Sequence, residues 1–344
     1  MFIKSISFSD TDTVFSLSTL NLNQYNLLTL PPSVKTDLII HYFNIIKNIA
    51  LGESFNGVEW EIEFETDENL YLWKGAFSSV PLLDNGLLEE PDDKPSYTVA
   101  YESLFINNAL AVEREGNKTF YYEGLIPTLP AHISVVRALV KDPNIANIFR
   151  AFRRVSIFEY TLGNKMPFRT FHYDEAVLLK QYQTLSQIIS SQEESLAKLY
   201  LLKNVEPALF NQIIEAFVTI FPETQTIEVA AKKLKEDIPF FFPVVTAVLY
   251  PSGKRVSEQN LSLGFLRALA VITDAVLLPE RSVFLITSPE MELDNFAAYS
   301  LLKILKELHP GNQLVVSSHL PASDAIEFTG KNLLLKDFSL NASE

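Results

Sequence analysis

The sequence offers few side chains that act as nucleophiles or hold metal ions. It contains no cysteine, which excludes thiol nucleophiles, thiolate zinc sites and disulfides. Ser317 and Ser318 directly precede His319, but no GxSxG nucleophile elbow accompanies them. No two of the five histidines have the HxxxH or HxH spacing of a zinc site: His41, His132, His172, His309 and His319. We therefore expect neither a serine hydrolase nor a metal site.

The charge balance disfavours a broad nucleic-acid surface. The 28 Lys and Arg residues against 42 Asp and Glu give a net charge of −14, whereas duplex binding depends mainly on neutralising phosphates. Arg150, Arg153 and Arg154 fall at helical spacing and form either a local basic face for nucleic acid or an ordinary surface that is solvated or paired within the protein. No run of about 18 apolar residues and no signal peptide is present, so a cytoplasmic protein without a membrane segment is expected.

The helices and strands predicted for the first third of the chain indicate a mixed α/β fold. A helix is predicted from Lys35 to Leu51 and an acidic, turn-rich loop at Pro91–Pro95. Apolar strands and strands of alternating polarity, the latter typical of an antiparallel flap, are predicted at Phe2–Phe8, Tyr25–Leu30, Val58–Thr66, Leu70–Phe77, Leu110–Arg114 and Thr119–Tyr122.

The middle of the chain is predicted to be mainly helical. Two helices are expected between His132 and Val155, with a break at Asp142–Asn144. The elements predicted after them are a strand at Ser156–Tyr160, a long helix or helical hairpin at Tyr173–Lys203 and a helix at Glu206–Phe221, which Pro222 ends. This segment would form an inserted helical lobe.

The last third alternates short apolar strands with helices. The predicted elements are helices at Leu261–Leu277 and Phe296–Leu308 and strands at Val283–Ile286 and Leu314–Val316. Such an order predicts a parallel sheet covered on both faces, with a ligand at its carboxyl edge.

Three segments of this last third carry a resemblance to a known family. LSLGFLRALAVI, VFLITSPEMELD and VVSSHLP, starting at Leu261, Val283 and Val315, follow one another in this order. Their order and spacing resemble the signature motif, the Walker B strand with its D-loop, and the H-loop of ABC-type ATPases. Together with the helical segment Leu199–Pro222, the chain resembles the OLD-like and RecF-like branch of predicted AAA ATPases, which is related to SMC proteins.

The resemblance covers nearly the whole chain and implies a particular fold. It implies an α/β, ABC-ATPase-like P-loop NTPase fold with an antiparallel β flap and an inserted helical lobe. The implied division is an N-terminal part of the ATPase-like domain at 1–130, a helical lobe at 131–240, and a C-terminal part of the domain at 241–344.

The phosphate-binding loop of that family is altered here. A GxxxxGK[ST] loop needs glycines so that successive backbone N–H groups can surround the phosphates. The aligned stretch, TLPPSVKT, keeps Lys35 and Thr36 but has Thr29 and Val34 at the glycine positions, and its two prolines have no N–H. Lys35 and Thr36 are therefore either remnants of an ATP and magnesium site or ordinary first-turn residues of the helix.

The Walker B position has lost its carboxylates. By the resemblance, Thr287 and Ser288 stand where the family has a magnesium-binding carboxylate and the Glu that polarises the attacking water. Neither hydroxyl can act as a base near neutral pH. Glu290 lies two residues beyond and either substitutes for that Glu or is a surface or interface residue.

The remaining motif residues match the family more closely. Ser262 and Gly264 match the signature, which would bind the γ-phosphate held by another subunit; the alternative is an N-capping Ser and a tight-turn Gly. His319 matches the H-loop His that contacts the γ-phosphate, or is a hydrogen-bonded structural His.

Three functional hypotheses follow from these residues. The first is a non-hydrolysing regulatory or scaffold subunit that needs no cofactor, forms a homodimer or a heterodimer with a related ATPase or a nuclease in DNA repair or phage defence, and meets nucleic acid only indirectly. The second is a slow ATPase with an altered site that uses Lys35, Thr36, Glu290 and His319. The third is a nucleotide-independent DNA-binding module that uses the three arginines.

Overall fold

The strands and helices have the following bounds in the computed structural model. The strands are β1 Phe2–Ser9, β2 Phe15–Asn21, β3 Tyr25–Thr29, β4 Glu59–Thr66, β5 Asn69–Phe77, β6 Val99–Ile106, β7 Ala109–Glu115, β8 Lys118–Tyr121, β9 Gly124–Leu125, β10 Val155–Phe158, β11 Thr224–Lys235, β12 Ile238–Leu249, β13 Arg255–Ser257, β14 Val283–Thr287, β15 Gln313–Ser318, β16 Thr329–Asn332 and β17 Phe338–Leu340. The helices are α1 Asp37–Leu51, α2 Val135–Ala138, α3 Pro143–Arg153, α4 Glu175–Gln181, α5 Leu185–Ser190, α6 Ser195–Val205, α7 Pro207–Ile220, α8 Leu263–Val276 and α9 Asn295–Leu308.

The structure describes most of the chain and divides it into two units. The described residues are 1–11, 15–31, 33–79, 97–116, 118–121, 124–125, 128–158, 175–235, 238–308, 310–320, 329–332 and 338–340. The predicted loop at Pro91–Pro95, as well as His172 and His309, lies outside them. The first unit comprises Met1–Ile157, Arg281–Thr287 and Gly311–Glu344, and the second comprises Phe158–Glu280 and Ser288–Pro310.

The first unit contains the antiparallel flap that the sequence predicted. Its nine strands follow the order β17-β2-β1-β4-β5-β6-β7-β8-β9. In β4 the apolar residues Trp60, Ile62 and Phe64 are buried while the glutamates between them face outward, as the alternation of a half-buried strand requires. Asp67 and Glu68 join β4 to β5 with φ of 49° and 68°, the left-handed backbone of a tight two-residue hairpin.

A five-stranded sheet in the first unit is the predicted parallel sheet. Its order is β10-β14-β15-β3-β16, and β15 pairs in parallel with both β14 and β3. Every residue of β14 and β15 is buried, which explains the apolar runs Val283–Ile286 and Leu314–Val316 within them. Helix α1 packs against these two strands. It begins after Thr36, slightly later than predicted, and ends at Leu51, with Gly52 as its C-cap residue.

Gln313 links the two sheets of the first unit through its buried side chain. Its Oε1 accepts a hydrogen bond from Ile3 N at 2.8 Å, and its Nε2 donates to Ile3 O at 2.7 Å and to Asn23 O at 2.9 Å. Gln313→Leu is expected to lower the free energy of unfolding by about 2 kcal/mol, because it leaves buried backbone groups unpaired. Urea unfolding would measure the loss. The exposed Gln212→Leu is the control, and equal midpoints for the two variants would contradict the expectation.

The helices of the second unit differ from the prediction in one segment. The prediction of one long helix or a helical hairpin at Tyr173–Lys203 is wrong, because the described part of this segment forms the three short helices α4, α5 and α6. Thr184 caps α5 in a reciprocal capping box with Gln187. This T-x-x-Q pattern is a helix-start signal that the sequence contains.

A three-stranded antiparallel sheet in the second unit was not predicted from the sequence. Strands β11 and β12 form a long hairpin, and the short β13 pairs with the end of β12 at Thr246–Val248. The hairpin passes through residue 240, where the sequence had placed a boundary. Within the described residues, no helix combines the length and the apolar character needed to span a lipid bilayer.

Candidate functional site

The carboxyl ends of three parallel strands meet at one edge of the five-stranded sheet. In the register of β14, β15 and β3, Thr287 lies opposite Ser317, and Ser318 lies opposite Thr29. His319 directly follows β15. The structure therefore brings the Walker B-like strand end, the H-loop-like histidine and the start of the P-loop-like segment to the same edge, where ligands bind in sheets of this kind.

The segment after β3 is closed by hydrogen bonds within the protein. Leu30 N donates to Ser318 O at 2.9 Å, and Val34 N donates to Pro31 O at 2.9 Å in a tight turn. Pro31 itself has no N–H. Backbone donors that could otherwise surround an anion are thus engaged or absent at these three positions.

Apolar side chains hold this segment against the core. Leu30 and Val34 are both buried and belong to the hydrophobic cluster that includes residues of α1. None of the described residues between Thr29 and Thr36 has a positive φ, so their backbone differs from the glycine-rich arrangement that a phosphate nest uses. Val34, at the position of the second glycine of the motif, therefore serves as a core residue.

Lys35 and Thr36 lie at the start of α1. Lys35 is exposed, while Thr36 is half-buried at the N-cap position with helical φ and ψ of −63° and −24°. The Thr36 side chain makes no capping hydrogen bond. Thr29 Oγ1 donates to Leu320 O at 2.8 Å, which ties the end of β3 to the segment after β15.

His319 contacts the P-loop-like segment through a backbone group. Its side chain is exposed, and Nδ1 lies 3.2 Å from Leu30 O. Because a carbonyl oxygen only accepts, Nδ1 carries the hydrogen in this bond, which leaves Nε2 as the acceptor of the neutral ring. His319, Lys35 and Thr36 therefore belong to one unit, and His319 is bonded to the segment that leads to the other two.

The Walker B-like strand ends in buried hydroxyl groups. Thr287 and Ser288 are both buried, and Ser288 has a φ of 41°. Ser317, opposite Thr287, is fully buried, and its Oγ has no hydrogen-bond partner among the described residues. The described chain contains no group of three or more His, Asp or Glu side chains arranged to hold a metal ion.

Glu290 and Asp294 lie in the second unit, in the turns that lead into α9. Glu290 is half-buried, and its backbone oxygen accepts a hydrogen bond from Leu293 N at 2.9 Å. Asp294 Oδ1 accepts from Ala297 N at 2.8 Å and so caps the first turn of α9. The D-loop-like Asp294 thus has a local structural role.

The signature-like residues begin α8 in the second unit. Ser262 is exposed and caps the helix, with its Oγ accepting from Phe265 N at 3.2 Å. At Gly264 an added Cβ would lie 2.1 Å from the backbone oxygen of Glu292. Both residues are therefore explained by the local structure, and a role toward a phosphate stays a prediction.

Arg267 is a residue of this region that the sequence reasoning missed. It is buried on α8, donates from Nη1 to Ser288 O at 2.5 Å, and lies over the Phe158 ring at 6.0 Å. A charged residue inside an apolar helical segment was the available signal, because buried arginines need acceptors. Arg267 holds the turn that follows β14.

A second ionisable residue of α8, the half-buried Asp274, was also missed. Burial raises the pKa of its carboxyl group, and the nearby Lys198 and a hydrogen bond of 2.9 Å from Ser195 Oγ to Asp274 Oδ2 oppose that shift. This pair joins α6 to α8 inside the second unit.

The three arginines of the DNA-binding hypothesis lie at the end of α3. Arg150, Arg153 and Arg154 are exposed. Arg150 bonds within its own helix, from Nη2 to Asn147 Oδ1 at 2.6 Å and from Nε to Ala146 O at 3.3 Å. The interpretation as a solvated or internally paired surface therefore describes Arg150.

Comparisons with known proteins bear on this arrangement. Residues 165–324 match the family model described as AAA domain, putative AbiEii toxin, Type IV TA system. The comparison with curated proteins finds no match.

Among solved structures, three SMC head domains are similar to the chain. The SmcHead bound to the C-winged helix domain of ScpA has 11% identity, covers 95% of this chain and 91% of that chain, and gives a TM-score of 0.47. The Smc head domain with an extended coiled coil bound to the C-terminal domain of ScpA derived from Pyrococcus furiosus has 12% identity, coverages of 92% and 89%, and a TM-score of 0.42. The SMC head domain from Thermotoga maritima has 12% identity, coverages of 93% and 90%, and a TM-score of 0.40. Residues 165–324 are thus similar to an AAA domain family.

Proposed function

We propose that this chain is an ABC-type ATPase-like subunit that does not hydrolyse ATP and that regulates or positions a partner. The observation that carries the proposal is the segment between Thr29 and Thr36. Its turn is closed by the bond from Val34 N to Pro31 O, and Val34 is packed in the core. A triphosphate would have to displace both interactions before it met free N–H groups.

ATP with magnesium is the group that such a site would take, and the residues present do not fit it. The strand end that should supply a magnesium-binding carboxylate has the hydroxyls of Thr287 and Ser288, which bring no negative charge to a divalent ion. Glu290 follows in the next turn. No step of catalysis is therefore assigned to this chain.

The proposed partner is a related ATPase or a nuclease, bound in a dimer. Ser262 is exposed at the start of the 14-residue helix α8, and a helix N-terminus is suited to contact an anionic group. In a heterodimer, Ser262 and Gly264 would complete the site of a competent partner. The matching family's description names a toxin of a toxin–antitoxin system, which supports a role in defence rather than in metabolism.

Titration calorimetry with ATP and magnesium tests the proposal directly. We expect no heat of binding below millimolar nucleotide, and no phosphate release above that of Lys35→Ala, because the loop offers few donors. Mixed with a co-encoded ATPase of the same family, the wild-type chain should change that partner's ATP turnover, and Ser262→Ala should reduce the change.

The second candidate function is a slow ATPase, and one observation favours it. Lys35 and His319 are both exposed in the same unit, and His319 bonds to Leu30 O. Micromolar binding of Mg-ATP that Lys35→Ala weakens about tenfold, equivalent to about 1.4 kcal/mol, would establish this candidate and end the first.

A further inference from the structure

The nine-stranded sheet has one face that is turned away from its hydrophobic core. In β4 the side chains Trp60, Ile62 and Phe64 enter the core, where Phe64 meets Phe152 of α3 edge to face at 5.4 Å. Because neighbouring residues of a strand point to opposite faces, the four glutamates of β4 point to the other side. We call this side the outer face.

The strand register identifies the other residues of the outer face. Residues directly opposite each other in antiparallel strands share a face. One row across the sheet is Ser7, Glu61, Lys74, Ser103, Glu113 and Phe120. The next row is Ser5, Glu63, Leu72, Phe105 and Leu110. The outer face is thus acidic on β4, whereas β5 to β8 carry an apolar group, Leu72, Phe105, Leu110 and Phe120, beside the polar Lys74, Ser103 and Glu113.

The apolar half leaves large side chains in solvent. Phe120 is 47% exposed, Leu110 is 42% exposed and Tyr101 is 37% exposed. Single exposed apolar residues are ordinary, but several on one sheet face form a patch of the kind that marks an interaction site. Leu72 and Phe105 lie half-buried beside them.

The acidic half carries more negative charge than its neighbours balance. Glu59, Glu61, Glu63 and Glu65 follow each other at every second position of β4, about 7 Å apart. Lys4 pairs with Glu65 at 3.1 Å, while Lys74 lies over the Phe105 ring at 5.9 Å. The remaining repulsion between like charges would be relieved by a positively charged partner.

A shallow cavity of about 200 Å³ opens on the outer face between these charged residues. Its lining includes Ser7, Ser9, Glu59, Glu61, Lys74 and Tyr101. Tyr101 Oη donates to Glu59 Oε1 at 2.5 Å, so one wall is fixed. A basic side chain that entered this cavity would meet the carboxylates of Glu59 and Glu61.

We propose that the outer face docks a basic, amphipathic polypeptide segment of a partner protein. The lysines or arginines of that segment would pair with the glutamates of β4, and its apolar side chains would cover Phe105, Leu110 and Phe120. Phosphate backbones and anionic lipids are repelled by the same glutamates. A second copy facing this surface across a twofold axis would place like charges against each other. The proposal stands on the sheet alone and does not depend on the proposed function.

Fluorescence anisotropy with a labelled amphipathic Lys/Leu peptide tests the docking. The triple variant Glu61→Gln, Glu63→Gln, Glu65→Gln is expected to weaken binding about tenfold, and Leu110→Ser with Phe120→Ser is expected to do the same. The matched control is Glu215→Gln, Glu223→Gln, Glu307→Gln, which removes the same charge from exposed positions of the second unit. The control should leave the affinity unchanged.

Three results would overturn the proposal. An equal loss of peptide affinity in the control triple variant would mean that the net charge of the protein alone attracts the peptide. Binding of a labelled oligonucleotide that Leu110→Ser with Phe120→Ser removes would identify a different occupant. A change of oligomeric mass in either set of outer-face variants would point to a second copy of this chain. Circular dichroism checks that each variant is folded, and the single variants Glu63→Gln and Phe120→Ser replace any set that is not.

Discussion

Gly264→Ala is expected to destabilise the second unit by about 3 kcal/mol, the upper part of the range for overpacking a core. The added Cβ would lie 2.1 Å from the oxygen and 2.6 Å from the carbon of the Glu292 carbonyl group. These are backbone atoms, so no side-chain rotation can relieve the contact. Either α8 or the turn at Glu292 has to move.

Urea unfolding without nucleotide measures this loss. The matched control is Gly311→Ala, because an added Cβ at Gly311 meets nothing within 4 Å and should leave the unfolding midpoint nearly unchanged. If Gly264→Ala unfolded at the wild-type midpoint, the close approach to Glu292 would be wrong, and a role toward phosphate would be the remaining reason for this glycine.

The stability of Gly264→Ala also concerns the reason for the signature-like segment at the start of α8. Gly264 and Arg267 are three residues apart on α8, and both contact the segment that follows β14, at Glu292 and at Ser288. Neighbours at this spacing lie on one face of a helix. Packing inside the second unit is therefore a sufficient reason for Gly264, whether or not a phosphate is bound in a dimer.

The strands that were predicted from the sequence are those in which the buried positions hold apolar residues. In β4, apolar Trp60, Ile62 and Phe64 are buried, whereas three of the four glutamates are exposed and Glu63 is half-buried. The pattern fails in β6, where Glu102 is buried and Tyr101 is exposed on the outer face. A strand with a charged residue on its buried face and an aromatic residue on its exposed face does not show the usual alternation of buried apolar and exposed polar residues. This is why β6 was not predicted.

The candidate site was predictable in its location but not in its contacts. Parallel strands with apolar sequences bring Thr287, His319 and the segment after Thr29 to one edge, and this follows from strand order alone. The burial of Val34 and the contact between Gly264 and Glu292 depend on how distant segments pack. One sequence contains no information on such approaches beyond the residue types that allow them.

Glu102 makes the stability of the first unit depend on pH. Its side chain is fully buried on β6, where Oε1 accepts from Trp73 Nε1 at 2.8 Å and Oε2 accepts from Val135 N at 2.9 Å. Burial raises the pKa of this carboxyl group from 4.5 to about 7, although the two hydrogen bonds and the charge of Arg114 oppose the shift. The folded chain therefore retains a proton that the unfolded chain releases.

The sign of the effect follows from this difference in bound protons. Below pH 4.5 both states are protonated and the contribution to stability is complete. As the pH rises from there through about 7, the free energy of unfolding is expected to fall by about 3 kcal/mol, at about 1.4 kcal/mol for each unit of pKa. At higher pH both states are ionised and the loss stays constant.

Glu102→Gln separates this titration from that of the other carboxyl groups. Its amide has one acceptor oxygen for the two donors Trp73 Nε1 and Val135 N, so the variant is expected to be about 1–3 kcal/mol less stable than wild type near pH 4. Because Gln does not titrate, the variant lacks the loss of stability that wild type shows as the pH rises. The difference between wild-type and variant unfolding free energies, measured in urea from pH 4 to 8, should therefore shrink as the pH rises. The exposed Glu53→Gln is the control, and its difference from wild type should not change with pH. A constant difference for Glu102→Gln across the same range would show that Glu102 is ionised in the folded protein throughout, held by Arg114 and the two donors, and that burial does not dominate its pKa.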